Sequence, residues 1–218
     1  DGDGVNEFRV LRAVKNRFGP TDEVVIFEMH QDGLAPAREP SALFLSTEAD
    51  EAGGAAVFAA MEGARPVLAE VQALVAPSAY GTPRRSIVGW DSNRLAMLLA
   101  VLEARCGVSL GGRDVYLSVA GGYRMSEPAG DLAAAAALLT SAATNPGPRK
   151  SIYFGEVALS GAIRPVARME QRLKEAARLG FEQAFVPDGS PTAIEGLTIT
   201  PIKRLSDLVE LIAPEAAQ

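Results

Sequence analysis

At 218 residues, 48% of them hydrophobic, the chain has material for one sizeable core and a smaller appendage. A single cysteine, Cys106, excludes an internal disulfide, and with one histidine, His30, it cannot supply the four ligands of a structural zinc site. No run approaches the ~20 apolar residues of a membrane span, and Asp1-Gly2-Asp3-Gly4 carries neither the basic region nor the apolar run of a secretory signal, so no membrane partner and a cytoplasmic location are expected.

The net charge of −6 argues against a nucleic-acid partner until its distribution is considered. Residues 20–62 hold Asp22, Glu23, Glu28, Asp32, Glu39, Glu48, Asp50, Glu51 and Glu62 against Arg38 alone, which leaves the remainder slightly basic. Residues 149–178 carry Arg149, Lys150, Arg164, Arg168, Arg172, Lys174 and Arg178 against Glu156, Glu170 and Glu175. An anionic partner therefore stays in play.

In chain order, residues 8–29 read as a hairpin, with Phe8, Val10, Arg12 and Val14 alternating along one strand, a turn at Gly19-Pro20-Thr21-Asp22, and Val24 to Phe27 on the return. Such a hairpin is too small to stand alone. Residues 31–54 read mostly as linker around Leu43-Phe44-Leu45. A second hairpin, Val57 to Met61 and Val67 to Val75, precedes a loop from Pro77 to Pro83. Asp91 caps an expected helix to Cys106, where Leu95, Leu98, Leu99 and Leu102 recur at helical spacing and Gly107 ends it; Cys106 there reads as a small buried hydrophobe.

Val115 to Val119 is an expected strand, and Glu127-Pro128 opens a helix from Ala129 to about Ser141, with proline at its permissive first position. Ile152 to Val157 and Ala162 to Val166 read as a hairpin around Ser160-Gly161. A helix from Arg168 to Leu179 follows, with Glu170 and Lys174 at i,i+4 and Gly180 as its stop. Ala184 to Val186 is a further strand, and Leu205 to Ile212 a last helix. The irregular alternation gives an α/β (α+β) domain, not a doubly wound one.

No GxxxxGK[ST] occurs, so these residues hold no phosphate-cradling loop of that type, and Gly53-Gly54 and Gly121-Gly122 read as turns. Lys15-Asn16-Arg17-Phe18-Gly19, taken alone, is a solvated strand end with two cations and an aromatic. Arg84, Arg85 and Arg94 are either plain exposed cations or, with the free amides of the helix that follows, a place for phosphates.

The string "FRVLRAVKNRFGPTDEVVIFEM" resembles the KNRFG segment of the bacterial RadA/Sms family of DNA-repair ATPases. The strings "PRRSIVGWDSNRLAMLLAVLEARCGVSL", "DVYLSVAGG", "EPAGDLAAAAALLTSA" and "GEVALSGAIRPVARMEQRLKEAARLGFEQAFVP" resemble that family's C-terminal domain, which shares its fold with the Lon proteolytic domain. The resemblance implies residues 1–40 as the end of a RecA-like ATPase core, 41–54 as linker and 55–218 as a Lon-protease-like domain. The family's four-cysteine zinc finger and Walker A motif would lie upstream, so zinc and ATP with magnesium are expected of a longer parent and no cofactor of this stretch. Lys15 and Arg17, with Asn16, Phe18 and Gly19, would approach nucleotide phosphates at a subunit interface, as arginine fingers do.

Lon-type peptidases use a serine activated by a lysine. At the positions the resemblance assigns to them stand Ala129, after Pro128, and Glu170; Ser126 and Lys174 are shifted from those places. Neither a methyl group nor a carboxylate can replace its counterpart. The resemblance thus implies a dead peptidase that binds single-stranded and branched DNA, through Arg84, Arg85, Arg94, Arg149 and Lys150, and forms a ring of copies, a hexamer, in an ATPase that drives branch migration during recombination, with the RecA recombinase as a possible partner. An active Ser-Lys peptidase and a purely structural ring module are the alternatives.

Overall fold

The computed structural model describes residues 8–12, 24–30, 32–36, 53–79, 81–191 and 193–217. Near the start, β1 (Phe8–Arg12), β2 (Val24–His30) and β3 (Gly33–Pro36) form an antiparallel sheet in that order, with Arg12 opposite Val24 and His30 opposite Gly33. The two strands of the expected hairpin pair with each other, its turn at residues 19–22 lying outside the described residues, and β3 adds a strand in what reads as linker in the sequence. Four residues, Gly-Leu-Ala-Pro, are too short to show an alternation. The KNRFG residues 15–19 and the Leu43-Phe44-Leu45 anchor lie outside the described residues.

The larger unit is built on a seven-stranded sheet. Its strands are β4 (Ala55–Glu62), β5 (Arg65–Pro77), β6 (Arg85–Val88), β7 (Arg113–Val119), β8 (Ser151–Tyr153), β11 (Gln183–Pro187) and β12 (Thr198–Ile202), in the order β12-β11-β8-β4-β5-β7-β6. Only β5 runs against the rest: its pairings with β4 and β7 are antiparallel, and the other four in the sheet are parallel. The mixed, mainly parallel sheet places the domain in the α/β class. A two-stranded ribbon, β9 (Glu156–Val157) with β10 (Ile163–Arg164), stands beside it.

The expected strand from Ile152 to Val157 is split between these two sheets. At Phe154 and Gly155 the chain leaves the large sheet, and the Gly155 N–H donates to Ala129 O at 3.0 Å. β6 and β12, unmarked in the sequence reading, are a four-residue strand between Pro83 and Gly89 and a strand broken in appearance by Pro201. β12 is an edge strand, where a missing N–H is tolerated.

Helix α1 (Ser92–Cys106) has the expected caps: the Asp91 carboxylate accepts from Arg94 N at 2.9 Å, and Gly107 adopts φ 72°. Cys106 is half-buried, and burial pushes its thiol up from the ordinary range. A 3-10 turn, Pro128–Gly130, leads into α2 (Asp131–Ala143). Every residue of α2 from Asp131 to Thr140 is buried, because its run of alanines has no polar face to offer solvent. It packs on β4 and β5 and against α1 and α4 (Leu205–Ile212), while α3 (Met169–Arg178) rests against β4 and β5.

The close approach of β5 and of the chain at the end of α2 explains one glycine pair. Gly53 has φ 79°, and a Cβ there would sit 2.3 Å from Asn145 O; Gly54 has φ 94° and would meet Ala73 O at the same distance. The Gly54 N–H donates to Thr140 Oγ1 at 3.0 Å, tying the entry of β4 to the end of α2. Among the described residues no helix is long and apolar enough to cross a membrane.

Candidate nucleic-acid interface

Because all strands but β5 share a direction, the sheet has one edge where they begin and one where they end. Arg84 and Arg85 stand at the start of β6, Arg113 at the start of β7, and Arg149 and Lys150 just before β8, all on the first edge. β6 and β8 are four strand spacings apart, about 19 Å at ~4.8 Å per strand. Arg94 belongs to the opposite edge, since it lies in the first turn of α1, after β6 has ended at Val88.

Two of these cations also hold the fold. The Arg85 guanidinium donates to the carbonyls of Arg84 (2.9 Å), Gly111 (3.1 Å) and Leu110 (3.2 Å), and to that of Arg113, so it clamps the turn before β7 against β6 while remaining exposed. Arg94 is drawn inward. Its Nε and Nη2 reach Asp131 Oδ1 and Oδ2 at 2.5 and 2.6 Å, and Asp131 Oδ2 also accepts from Val157 N at 3.0 Å. The hydrogen bond with Asp131 raises the Arg94 pKa, while burial pushes the Asp131 carboxyl up against the lowering effect of Arg94 and the Val157 N–H.

The other cations are peripheral. Arg84 is exposed; its backbone N–H donates to Asp114 Oδ1 at 2.8 Å, and its carbonyl accepts from Val115 N at 2.9 Å. Arg149 is exposed, and Lys150, at φ 49°, places Nζ 2.5 Å from Glu182 Oε1. An exposed pair of that kind contributes little to stability.

Ala129 and Glu170, the positions that the family resemblance assigns to a peptidase dyad, occupy different environments. Ala129 is 1% exposed inside the 3-10 turn, whereas Glu170 faces solvent in the first turn of α3 and pairs with Lys174 at 2.6 Å, which holds its carboxyl below the usual range. Two residues before Ala129 and two after Glu170, a buried ion pair joins their elements. Arg172, 1% exposed, donates Nη2 to Glu127 Oε2 at 2.6 Å, Nη1 to Glu127 Oε1 at 3.0 Å and to Ala59 O, and Nε to Ala167 O at 2.9 Å. Glu127 Oε1 also accepts from Met61 N at 2.7 Å, and the Phe154 ring centroid lies 6.0 Å from the guanidinium carbon. A permanently charged guanidinium held this way can neither attack a carbonyl nor take a proton.

Sequence reasoning did not single out Asp131, Glu127 or Arg172 as a set, and no local signal joins them. It also passed over Tyr116, although the alternation Arg-Asp-Val-Tyr-Leu-Ser-Val puts that ring on the face opposite Val115 and Leu117.

Residues 95–190, from α1 to β11, match the family model described as subunit ChlI of Mg-chelatase. Over its whole length the chain is 56% identical to the DNA repair protein RadA of Brucella abortus. The chain is a homologue of the RadA proteins. RadA of Rickettsia conorii is 48% identical over 215 residues, 97% of the chain, and RadA of Streptococcus pyogenes serotype M3 is 47% identical over 200 residues, 92% of the chain. The chain spans about half the length of these RadA relatives: 47% of the Brucella and Rickettsia proteins and 44% of the Streptococcus protein.

Proposed function

We infer that the chain is the DNA-engaging, ring-forming half of a DNA-dependent ATPase that promotes branch migration in recombination repair. The observation that carries this reading is the 56% identity, along the entire chain, to a protein named for DNA repair. The basic strand edge supports it, because phosphate contacts by Arg84, Arg85, Arg149 and Lys150 would bind any sequence and would sum over the copies in a ring. Arg94 acts in this reading through Asp131, by holding α1 against α2. On the family resemblance, the domain from residue 55 onward has a Lon-protease-like fold without peptidase activity, with Ala129 and Glu170 in the dyad positions. Lys15 and Arg17 serve the nucleotide interface of the longer protein, to which ATP with magnesium, zinc and contact with a recombinase belong.

The test is fluorescence anisotropy of the chain with single-stranded, duplex and branched DNA across a salt series, with its mass in solution measured in parallel. Affinity should fall with a log–log slope of about 0.9 per phosphate neutralised on duplex and about 0.7 on single strands. Arg84→Ala with Arg149→Ala and Lys150→Ala should weaken binding to all sequences alike and flatten that slope. A chain that assembles but binds no DNA at low salt would be a structural ring module instead.

A further inference from the structure

Among the described residues, one face of the sheet is open along β5, β7 and β6. Strand alternation puts Gln72 and Leu74, Tyr116 and Ser118, and Ser86 and Val88 on it. The register sets Tyr116 between Leu74 and Ser86, and Ser118 between Gln72 and Val88. Leu74 is 58%, Tyr116 37% and Val88 59% exposed. Single exposed apolar side chains are ordinary, but here Leu74 lies directly beside Tyr116 and Val88 diagonal to it, in a shallow groove of about 440 Å³.

Among the described residues the charges beside this groove divide by sign. The carboxylates of Glu70 and Asp114, on the strands that form it, are each 7% exposed and already hydrogen-bonded: Gln72 Nε2 donates to Glu70 Oε1 at 2.7 Å, and Arg84 N donates to Asp114 Oδ1 at 2.8 Å. The cations Arg84, Arg85 and Arg113 are exposed along the edge where β6 and β7 begin. Arg84 precedes Ser86 by two residues, so roughly 7 Å of strand separates its Cα level from that of Tyr116.

An aromatic face with apolar flanks, hydroxyl and amide groups beside it and a cationic rim suits a polyanion whose bases are free to unstack. A duplex keeps its bases paired and would leave the ring unused; an apolar protein surface would leave the rim unused. We propose that the open face of β5, β7 and β6 is a platform for single-stranded DNA, on which a base stacks against Tyr116 beside Leu74, with Val88 diagonal to the ring, while neighbouring phosphates lie along Arg84, Arg85 and Arg113. This rests on the DNA-binding reading above and adds the place and the stacking residue.

The experiment compares anisotropy binding of the chain to an oligothymidylate and to an abasic oligonucleotide of the same length and charge. The chain should prefer the thymidylate by about five-fold or more, the lower end of what one stacked base contributes. Tyr116→Ala should bring that ratio to about one with little change in abasic binding or salt slope, and Tyr116→Phe should keep it. Tyr116→Trp should also keep it and gain a fluorescence that thymidylate quenches beyond the Trp90 background. Circular dichroism of each variant checks the fold. Equal binding of the two oligonucleotides by the unaltered chain, or a preference that survives Tyr116→Ala, overturns the platform and leaves DNA binding standing. No binding to either oligonucleotide removes the DNA-binding reading and the platform with it.

Discussion

Arg94 and Asp131, 37 residues apart, form a two-pronged ion pair at 2.5 and 2.6 Å that joins the first turns of α1 and α2. The Asp131 side chain is 2% exposed and that of Arg94 27%. Removing one partner of a buried pair leaves the other uncompensated, at a cost of about 3–5 kcal/mol. Asp131→Ala also orphans the Val157 N–H, so its loss should lie toward the upper end, and Asp131→Asn, which keeps an acceptor, should lose less. Urea unfolding measures both; an Asp131→Ala midpoint equal to that of the parent chain would refute the role.

Arg172 and Glu127 should behave similarly, with one difference. Arg172→Leu leaves a carboxylate that keeps only the Met61 N–H, and a loss of about 3–5 kcal/mol is expected. Adding Glu127→Leu removes that stranded charge, so the double variant should be less destabilised than the sum of the single ones. It will not return to the parent stability, because the Met61 N–H is then unpaired. Strict additivity of the two losses would show that the groups act independently.

Placing serine and lysine at the two positions that the family resemblance assigns to a peptidase dyad should not produce a peptidase. Ala129 is enclosed in its turn at 1% exposure while the Glu170 side chain is 61% exposed on α3, so Ala129→Ser with Glu170→Lys puts the hydroxyl and the amine in different surroundings. A buried hydroxyl and a solvent-facing amine are poorly placed for the hydrogen-bond contact that a general base needs. Casein incubated with the double variant should stay intact. Cleavage that disappears on reverting either position would overturn this.

The tyrosines should separate in an alkaline titration followed at the phenolate absorbance. Burial pushes Tyr153 up to about 12, opposed by its hydrogen bond with Ser151 at 2.9 Å, and burial with Glu62 3.1 Å away pushes Tyr123 higher still. A phenol with a raised folded pKa holds its proton where the unfolded chain has lost it. Its stabilising effect is therefore full below the unfolded value of about 10 and is lost as pH rises toward the folded one. Stability should fall between about pH 10 and 12, and Tyr153→Phe should lessen the fall. A titration in which Tyr123 and Tyr153 both ionise near 10, in chain that remains folded, would contradict it.

Much of the architecture was legible in the sequence, and the physical reason is locality. Asp91 and Gly107 bound α1 through hydrogen bonds and a backbone angle that involve only near neighbours, and the alternations along β4, β5 and β7 are periods of two within one segment. The whole-chain resemblance to the RadA/Sms family was legible too, because strings such as DVYLSVAGG and GEVALSGAIRPV are continuous. β3, β6 and β12 were not, since strands of four or five residues beside glycine or proline hold too few positions for a period to emerge.

Tertiary structure alone decided which charges meet. Arg94 sits in the sequence like the arginines at 84 and 85, yet strand direction carries it to the other edge of the sheet, where Asp131 draws it inward. Glu127 reaches Arg172 across 45 residues, and Tyr116 faces the open groove only because α2 covers the opposite side of β5. The order of strands in a sheet is set by packing among segments far apart in the chain. No local window of residues encodes that order, so the partners it creates become visible only in the fold.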